Sequence, residues 1–231
     1  MALSLSRRSA RIEQAEIRAM SIECEKVGGI NLAQGVCDTQ VPPLIRENAH
    51  HGIENGTNSY TRFDGLAELR QAISRKLSLR NGISADPETE IVVSAGSTGA
   101  FFCACLALLG PGDEVILFEP YYGYHLNTLL AVEAVPAVVT LQPPDWSFAI
   151  ADMEHVVTSR TKALILSTPG NPSGKVFSRA ELEAISEFAT KHDLFVFTDE
   201  IYEHFLYDGR PHISPGSIEG MKERTISISG F

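Results

Sequence analysis

The sequence of 231 residues is 44% hydrophobic and 21% charged, the balance of an ordinary globular protein that can bury a sizeable core. Its net charge is −10 and no basic cluster exceeds two residues, which argues against a nucleic-acid surface or an anionic-membrane surface. The four cysteines have no zinc-type spacing, and we recognise neither a secretory signal nor a membrane span, so we expect a cytoplasmic protein.

The first third of the chain alternates predicted helices with polar turns. The spacing of apolar residues predicts helices at about residues 7–26, 42–55 and 65–82. A short extended piece between the first two leads to Gly35, where the missing side chain allows close backbone approach. Tyr60 follows a polar turn. We predict an N-terminal arm with part of a small domain over residues 1–44, and a large domain over residues 45–231.

From Glu90 onward strand patterns alternate with helix patterns, which favours an α/β fold with a large, mostly parallel sheet and helices on both faces. Cys103 and Cys105 lie in an apolar helix pattern and are interpreted as buried thiols. Six strands are predicted, at Glu90–Ser94, Glu114–Phe118, Val135–Leu141, Lys162–Ser167, Leu194–Thr198 and Thr225–Ser229.

The first predicted strand leads directly into a helix through Ala95, Gly96 and Ser97. Free backbone N–H groups, a hydroxyl and the helix dipole would then face one point, as in a phosphate site. The alternative is that these small residues only allow tight packing between strand and helix. The spacing is neither that of a dinucleotide-binding loop nor that of a Walker loop.

Three later strands also end in polar or aromatic side chains. Tyr122 follows the second strand, where its ring either stacks on a flat ligand or packs in the core. Asn171 follows the fourth strand in a rigid turn rich in proline and glycine. The fifth strand ends in Asp199 and Tyr202, a carboxylate and a phenol about one helical turn apart. The alternative is that Asp199 or Glu200 caps a following helix.

These strand ends together offer an anion site, a stacking face, an amide, a carboxylate and a phenol. Ligands of open α/β sheets bind outside the carboxyl ends of the strands, where these groups are expected to meet. Pyridoxal phosphate (PLP) requires a phosphate cradle and a carboxylate at its ring nitrogen. We therefore predict PLP as the cofactor.

The motifs NLAQGVCD, SYTRFDGLAELR, VSAGSTGA, FEPYYGYH, STPGNPSG and FTDEIYEHFLYDG resemble those of the class I and II aminotransferases, PLP enzymes of fold type I. The resemblance covers nearly the whole sequence. It implies transfer of an amino group between an L-amino acid and a 2-oxo acid. It also implies that Ala95, Gly96 and Ser97 hold the cofactor phosphate and that Tyr122 stacks on the cofactor ring.

The resemblance also implies roles for the remaining candidate residues. Asp199 would pair with the ring nitrogen, and Tyr202 and Asn171 would bond the ring oxygen, with Asn171 also near the substrate. Gly35 would contact the substrate carboxylate through its backbone. Tyr60 would reach the phosphate of the neighbouring subunit's cofactor, which implies a homodimer with shared sites.

The lysine that anchors the cofactor in this family follows the pattern S-G-F-S-K, and this sequence stops at Phe231 after Ser229 and Gly230. We expect that lysine at the second position beyond Phe231, a C-terminal small domain missing from these residues, and no activity of residues 1–231 alone. Lys175 is interpreted as a solvated loop lysine. The alternative functions are a PLP-dependent lyase acting on sulfur amino acids and a non-catalytic ligand-binding relic.

Overall fold

The computed structural model describes residues 4–6, 8–13, 16–35, 37–56 and 58–231. They form two compact units, one of Met1–Glu13 with Asp64–Phe231 and the other of Gln14–Phe63. The assignment of residues 1–44 to an arm and small domain, and of residues 45–231 to a large domain, stays a prediction about the whole protein.

The smaller unit contains helices α1 (Glu16–Lys26) and α2 (Pro43–Asn55). Pro43 occupies the first turn of α2, where its missing N–H would have no helical partner in any case. The helix predicted for residues 7–26 is shorter than expected. In the larger unit Ser9–Arg11 forms a separate 3₁₀ turn, and residues 7, 14 and 15 lie outside the described residues.

The larger unit alternates strands and helices from residue 96 onward. Its first helix, α3 (Ala67–Lys76), continues as a π-helical turn over Leu77–Asn81 and ends at Gly82, which has a φ of +68°. The other elements, in chain order, are α4 (Gly96–Leu108), β1 (Glu114–Glu119), α5 (Gly123–Ala131), β2 (Val135–Thr140), α6 (Ile150–Val156), β3 (Thr161–Ser167), α7 (Arg179–Lys191), β4 (Phe195–Asp199) and β5 (Thr225–Ile228).

The five strands form one parallel sheet in the order β2-β1-β3-β4-β5. Alternate strand residues face opposite sides, so each face of the sheet has its own apolar core. On one face Ile116 and Phe118 belong to a cluster with α6 and α7, and on the other Val115 and Leu117 belong to a cluster with α4 and α5. The predicted α/β fold is confirmed.

No helix among the described residues is long and apolar enough to cross a bilayer.

The strand predicted at Glu90–Ser94 is wrong. The segment pairs with no strand of the described chain. Apart from local turn bonds to Asp86 and from Gly96, its backbone hydrogen bond is from Val93 N to Asp64 O at 3.0 Å. Ile91 is buried whereas Val92 is 68% exposed. Apolar alternation measures how well a segment fits a half-buried surface, but a strand also needs a neighbour for its hydrogen bonds.

The interpretation of two buried thiols holds for Cys105 and is wrong for Cys103. Cys105 is buried, and its burial raises the pKa of the thiol to about 12, whereas Cys103 is exposed. Residues two apart lie on nearly opposite sides of a helix, so α4 cannot bury both against the same sheet.

Candidate active site

The carboxyl ends of β1, β3 and β4 lie at the same edge of the parallel sheet, and three predicted site residues follow them. A shallow open pocket at this edge is lined by Ser97, Tyr122 and Asp199, together with Thr98, Phe101, Tyr124, His125 and Ile228. The sheet register places Ser167 of β3 and Ile228 of β5 on either side of Asp199. The fold therefore brings together a helix N-terminus, an aromatic ring and a carboxylate that are distant in sequence.

Asp199 is held on two sides. Asp199 is only 9% exposed, and its neighbour His125 is only 4% exposed. The Asp199 Oδ2 atom lies 3.0 Å from His125 Nε2. Its Oδ1 accepts a hydrogen bond from the backbone N–H of Ile201 at 3.2 Å. A buried carboxylate with a fixed imidazole partner keeps one orientation toward the cavity.

His125 is the functional candidate that the sequence analysis missed. It lies in the first turn of α5, and its ring packs against Phe101 at 4.7 Å and edge-on to Tyr122 at 5.4 Å between centroids. A signal was present, because Tyr122 and His125 are three residues apart at the start of a helix and so face the same side. A polar residue on the buried face of an otherwise apolar helix usually has a buried partner.

The N-terminus of α4 has the features of an anion site. Ala95 is the N-cap residue and provides no side-chain cap, so the backbone N–H groups of the first turn have no intrahelical partner. Ser97 and Thr98 line the cavity, and their hydroxyls make no hydrogen bond within the part of the chain that the structure describes. Helix dipole, N–H groups and hydroxyls thus favour a negative group at the same cavity as Asp199.

Gly96 sets the direction in which α4 leaves this site, and it has a φ of +73°. A side chain at Gly96 would meet nothing within 4 Å, so an added methyl group costs conformational energy without a clash. We expect Gly96→Ala to lower the free energy of unfolding by about 1–2 kcal/mol, as measured by urea unfolding. Gly123→Ala is the matched control, because Gly123 begins α5 with open space around it and no positive φ. Equal stability of the two variants would contradict this account.

Asn171 follows β3 and lines a second open pocket, which shares Tyr122 and His125 with the first. Its side-chain amide makes no hydrogen bond among the described residues and is available to a ligand. The interpretation of Lys175 as a solvated loop lysine is wrong. Its side chain is only 10% exposed, lines the Asn171 cavity, and forms an ion pair with Glu181 of α7.

Tyr202 lies in a series of turns rather than in a helix. Glu203 N donates to Glu200 O at 3.0 Å, and Phe205 N donates to Tyr202 O at 2.8 Å, so each turn closes after three residues. The expectation that Asp199 and Tyr202 lie one helical turn apart, and the alternative of a helix cap there, are therefore wrong. Tyr202 is 37% exposed and lines neither cavity.

The two remaining site predictions, Gly35 and Tyr60, fall in the smaller unit. Both are exposed, the Tyr60 side chain fully so, and a side chain added at Gly35 would meet nothing within 4 Å. Their predicted contacts with substrate and with a neighbouring subunit stay predictions.

A buried polar network lies directly behind Asp199. Glu200 follows β4 directly and is 2% exposed. Its carboxylate accepts from Thr198 Oγ1 at 2.7 Å and from Ser214 Oγ at 2.8 Å, and it lies 2.7 Å from His212 Nε2. The Glu200 backbone N–H donates to Ile228 O at 2.8 Å, which ties the ends of β4 and β5 together.

Glu203 belongs to the same network. Its carboxylate pairs with Lys76 and accepts a hydrogen bond from Asn81 Nδ2 at 2.9 Å. Burial raises the pKa of Glu203, but the bonds from Lys76 and Asn81 outweigh burial and hold the pKa below its ordinary value. The carboxylate is therefore the form that the folded state favours.

This lowered pKa predicts a pH dependence of stability. The unfolded chain binds a proton at Glu203 more readily than the folded chain, so the stabilisation is fully present above the unfolded pKa of about 4.3 and is lost as the pH falls through the folded pKa. We expect Glu203→Gln to lose less stability than the unsubstituted protein as the pH falls from about 5 through the lowered folded pKa of Glu203, measured by urea unfolding. Glu187→Gln, at an exposed position on α7, should leave the pH slope unchanged. Identical slopes for all three proteins would show that Glu203 is not part of the acid response.

No group of histidine, cysteine, aspartate and glutamate in the described residues is suited to hold a metal ion. The side chains that meet at the sheet edge are instead a carboxylate with its imidazole, hydroxyls at a helix N-terminus, a phenol ring and a free amide. Such a donor set suits an organic ligand with one anionic group and one basic ring atom.

Comparison with known proteins bears on this site. The protein named "Probable N-succinyldiaminopimelate aminotransferase DapC" from Mycobacterium tuberculosis is 41% identical over 212 residues, which is 91% of this chain and 53% of that protein. The aspartate aminotransferase of Pyrococcus abyssi is 38% identical over 231 residues, 99% of this chain and 59% of that protein. The solved structure of N-succinyldiaminopimelate aminotransferase from Mycobacterium tuberculosis has a TM-score of 0.93 at 37% identity, covering 98% of this chain and 60% of that one.

The chain spans little more than half the length of these relatives. Within that half, the family described as "Aminotransferase class I and II" matches residues 27–228, which include every motif that forms the cavity at the sheet edge. The similarity is therefore continuous and is not confined to one element of the fold. This chain belongs to the aminotransferase class I and II family.

Proposed function

We propose that the protein containing this chain is a PLP-dependent aminotransferase that transfers an amino group between an L-amino acid and a 2-oxo acid. The observation that carries the proposal is the buried Asp199 carboxylate, held by His125 at 3.0 Å in the same cavity as the uncapped N-terminus of α4. Family membership supports the same reaction. The proposal is independent of the substrates named for individual relatives.

The donor set fits PLP. Ala95, Gly96 and Ser97 at the start of α4 would hold the phosphate through N–H groups and a hydroxyl, as anions bind at helix N-termini. Tyr122 would stack on the ring, and its position in both cavities supports that role. Asn171 would donate its free amide to the ring oxygen. Tyr202 is proposed for the same oxygen on the family resemblance alone.

Bound PLP supplies an electron-withdrawing ring that stabilises negative charge on a substrate carbon. The part of Asp199 is to keep a proton on the ring nitrogen, because a buried carboxylate favours a positive charge beside it. His125 fixes Asp199 Oδ2 from the far side, and the Ile201 N–H fixes Oδ1, so the carboxylate does not reorient when charge shifts. His125 therefore acts through Asp199 as a positioning residue.

The oligomeric state and the cellular compartment belong to the same proposal. We propose a homodimer in which Tyr60 reaches the cofactor phosphate of the neighbouring subunit and the Gly35 backbone contacts the substrate carboxylate. The full exposure of Tyr60 in its own unit supports a partner outside that unit. Four free cysteines support a reducing compartment, and we propose the cytoplasm and a role in amino acid biosynthesis.

The test uses the full-length protein that contains this chain, supplied with PLP. PLP binding is followed by absorbance, and amino-group transfer to 2-oxoglutarate is measured for a panel of L-amino acids that includes aspartate and N-succinyldiaminopimelate. We expect PLP binding and transfer from at least one donor. Absence of PLP binding would overturn the proposal. Release of pyruvate from a sulfur amino acid without an acceptor, and no transfer, would favour the lyase instead.

A further inference from the structure

Lys175 is a nearly buried lysine that the proposed function leaves without a role. Its Nζ lies 2.5 Å from Glu181 Oε1 and 3.3 Å from the Asp145 carbonyl oxygen. The same ammonium group lies 5.4 Å from the centroid of the Phe177 ring, a distance suited to a cation–π contact. A lysine side chain loses much rotamer freedom on burial, so these contacts hold one conformation. These three contacts occupy the amine, so it is not free to act as a nucleophile.

Lys175 also closes the turn that carries Asn171. Its carbonyl accepts from Gly170 N at 2.8 Å, and Gly174 N donates to Gly170 O at 2.8 Å. The Lys175 backbone N–H donates to Ser173 Oγ at 3.2 Å. Asn171 lies inside this closed loop, so its position follows that of Lys175.

Glu181, the partner of Lys175, is fixed to a rigid helix. It accepts from Ser178 N at 2.7 Å and from Ser178 Oγ at 2.8 Å, while Ser178 Oγ accepts from Glu181 N, which completes the capping box of α7. The next turns of α7 bury Leu182 and Ile185 in the sheet core. Burial raises the pKa of Glu181, but the Lys175 ammonium and the Ser178 donors outweigh it and lower the pKa.

The ion pair therefore joins a loop with a free amide to a helix that cannot easily move. Asn171 and Lys175 line the same cavity, together with Tyr122 and His125. Besides the backbone bonds at its neck, the turn is tied to the body of the protein by the Ser167 Oγ bond to Pro169 O at 3.5 Å and by the Lys175 side chain. Fully exposed ion pairs contribute little, but the side chains of this pair are only 10% and 27% exposed, so solvent screens it less.

We propose that Lys175 and Glu181 form a positioning pair that holds the Asn171 amide at the cofactor site. This proposal rests on the proposed function for its ligand, PLP, but the effect on the turn itself is present without cofactor. Lys175→Met removes the charge and keeps the length of the side chain, and Lys175→Arg restores the charge. Lys162→Met is the matched control, because Lys162 pairs with Asp113 at 3.3 Å at the opposite end of β3.

The experiment measures hydrogen exchange of the cofactor-free full-length protein over residues 168–178, and then its dissociation constant for PLP. We expect Lys175→Met to raise exchange at Gly170 and Gly174 and to weaken PLP binding, each by roughly threefold to tenfold, the factor for one lost hydrogen bond. Lys175→Arg should restore most of the protection from exchange and most of the affinity for PLP. Lys162→Met should change neither quantity. If Lys175→Met does not fold, Glu181→Gln removes the ion pair while keeping an acceptor for Ser178.

The outcomes separate the two proposals. Unchanged exchange in the turn of Lys175→Met, or exchange that rises equally in β3, β4 and α7, would overturn the positioning role. Wild-type affinity for PLP in that variant would overturn it as well. Failure of the unsubstituted protein to bind PLP would instead overturn the proposed function, and with it the role of Asn171 at that cofactor.

Discussion

Asp199→Ala is expected to abolish amino-group transfer by the full-length protein and to weaken PLP binding at least about hundredfold. Removal of one partner from a buried pair typically costs about 3–5 kcal/mol, because the remaining group stays buried without compensation. Here the remaining group is His125, which is 4% exposed and has lost the oxygen 3.0 Å from its Nε2. The proton on the cofactor ring nitrogen would also lose the carboxylate that favours it. Absorbance titration with PLP and an aminotransfer assay measure the two effects.

Two variants control this experiment. Asp199→Asn keeps the shape of the side chain and removes its charge, so it should bind PLP better than Asp199→Ala while remaining inactive. Glu187→Ala removes an exposed carboxylate on α7 and should leave binding and turnover unchanged. Full activity of Asp199→Ala would sink the assignment of Asp199 to the cofactor ring.

Glu200→Ala is expected to lower the free energy of unfolding by about 3–5 kcal/mol. The substitution leaves the donors of Thr198, His212 and Ser214 without their acceptor, in a site that water does not reach. Unsatisfied buried donors cost about 1–3 kcal/mol each, and some rearrangement should reduce their sum. The network connects segments that are distant in sequence, because Asn81 and His212 both contact the Glu200 carboxylate.

Urea unfolding of Glu200→Ala, Glu200→Gln and Glu187→Ala would measure this effect. Gln can accept some of the same hydrogen bonds, so its loss should be smaller than that of Ala, and Glu187→Ala should stay within about 0.5 kcal/mol of the unsubstituted protein. If Glu200→Ala is too unstable to purify, Glu200→Gln still reports the loss. Unfolding of Glu200→Ala at the same urea concentration as the unsubstituted protein would show that the network does not stabilise the fold.

The neighbouring residues Asp199 and Glu200 thus have separate expected effects, one on the ligand and one on stability. The sequence placed both carboxylates at the end of the fifth predicted strand, and only the family resemblance assigned Asp199 rather than Glu200 to the ring nitrogen. The separation follows from their partners: Asp199, at the end of β4, contacts His125 of α5, whereas Glu200, just beyond the strand, contacts Thr198, whose side chain lies on the opposite face of β4 from that of Asp199.

Local chemistry was sufficient to predict most helices and strands and the motifs at their ends. The start of α7 shows such a local signal, because a hydroxyl at Ser178 lies three residues before Glu181, and the structure has that capping box. The β4 run was recognised because a strand buried on both faces is apolar throughout. In contrast, Glu90–Ser94 has a strand pattern but finds no strand partner among the described residues, since pairing depends on what lies beside a segment.

The sequence by itself therefore determined the alternation of elements, the parallel sheet and the identity of the side chains at its carboxyl edge, because periodicity and turn chemistry act over a few residues. Only the tertiary structure decided which of those side chains meet. His125 and Asp199 are 74 positions apart in sequence, and Glu181 reaches Lys175 from the next helix. Such contacts depend on strand order and on the direction in which each helix leaves the sheet, which no local pattern specifies.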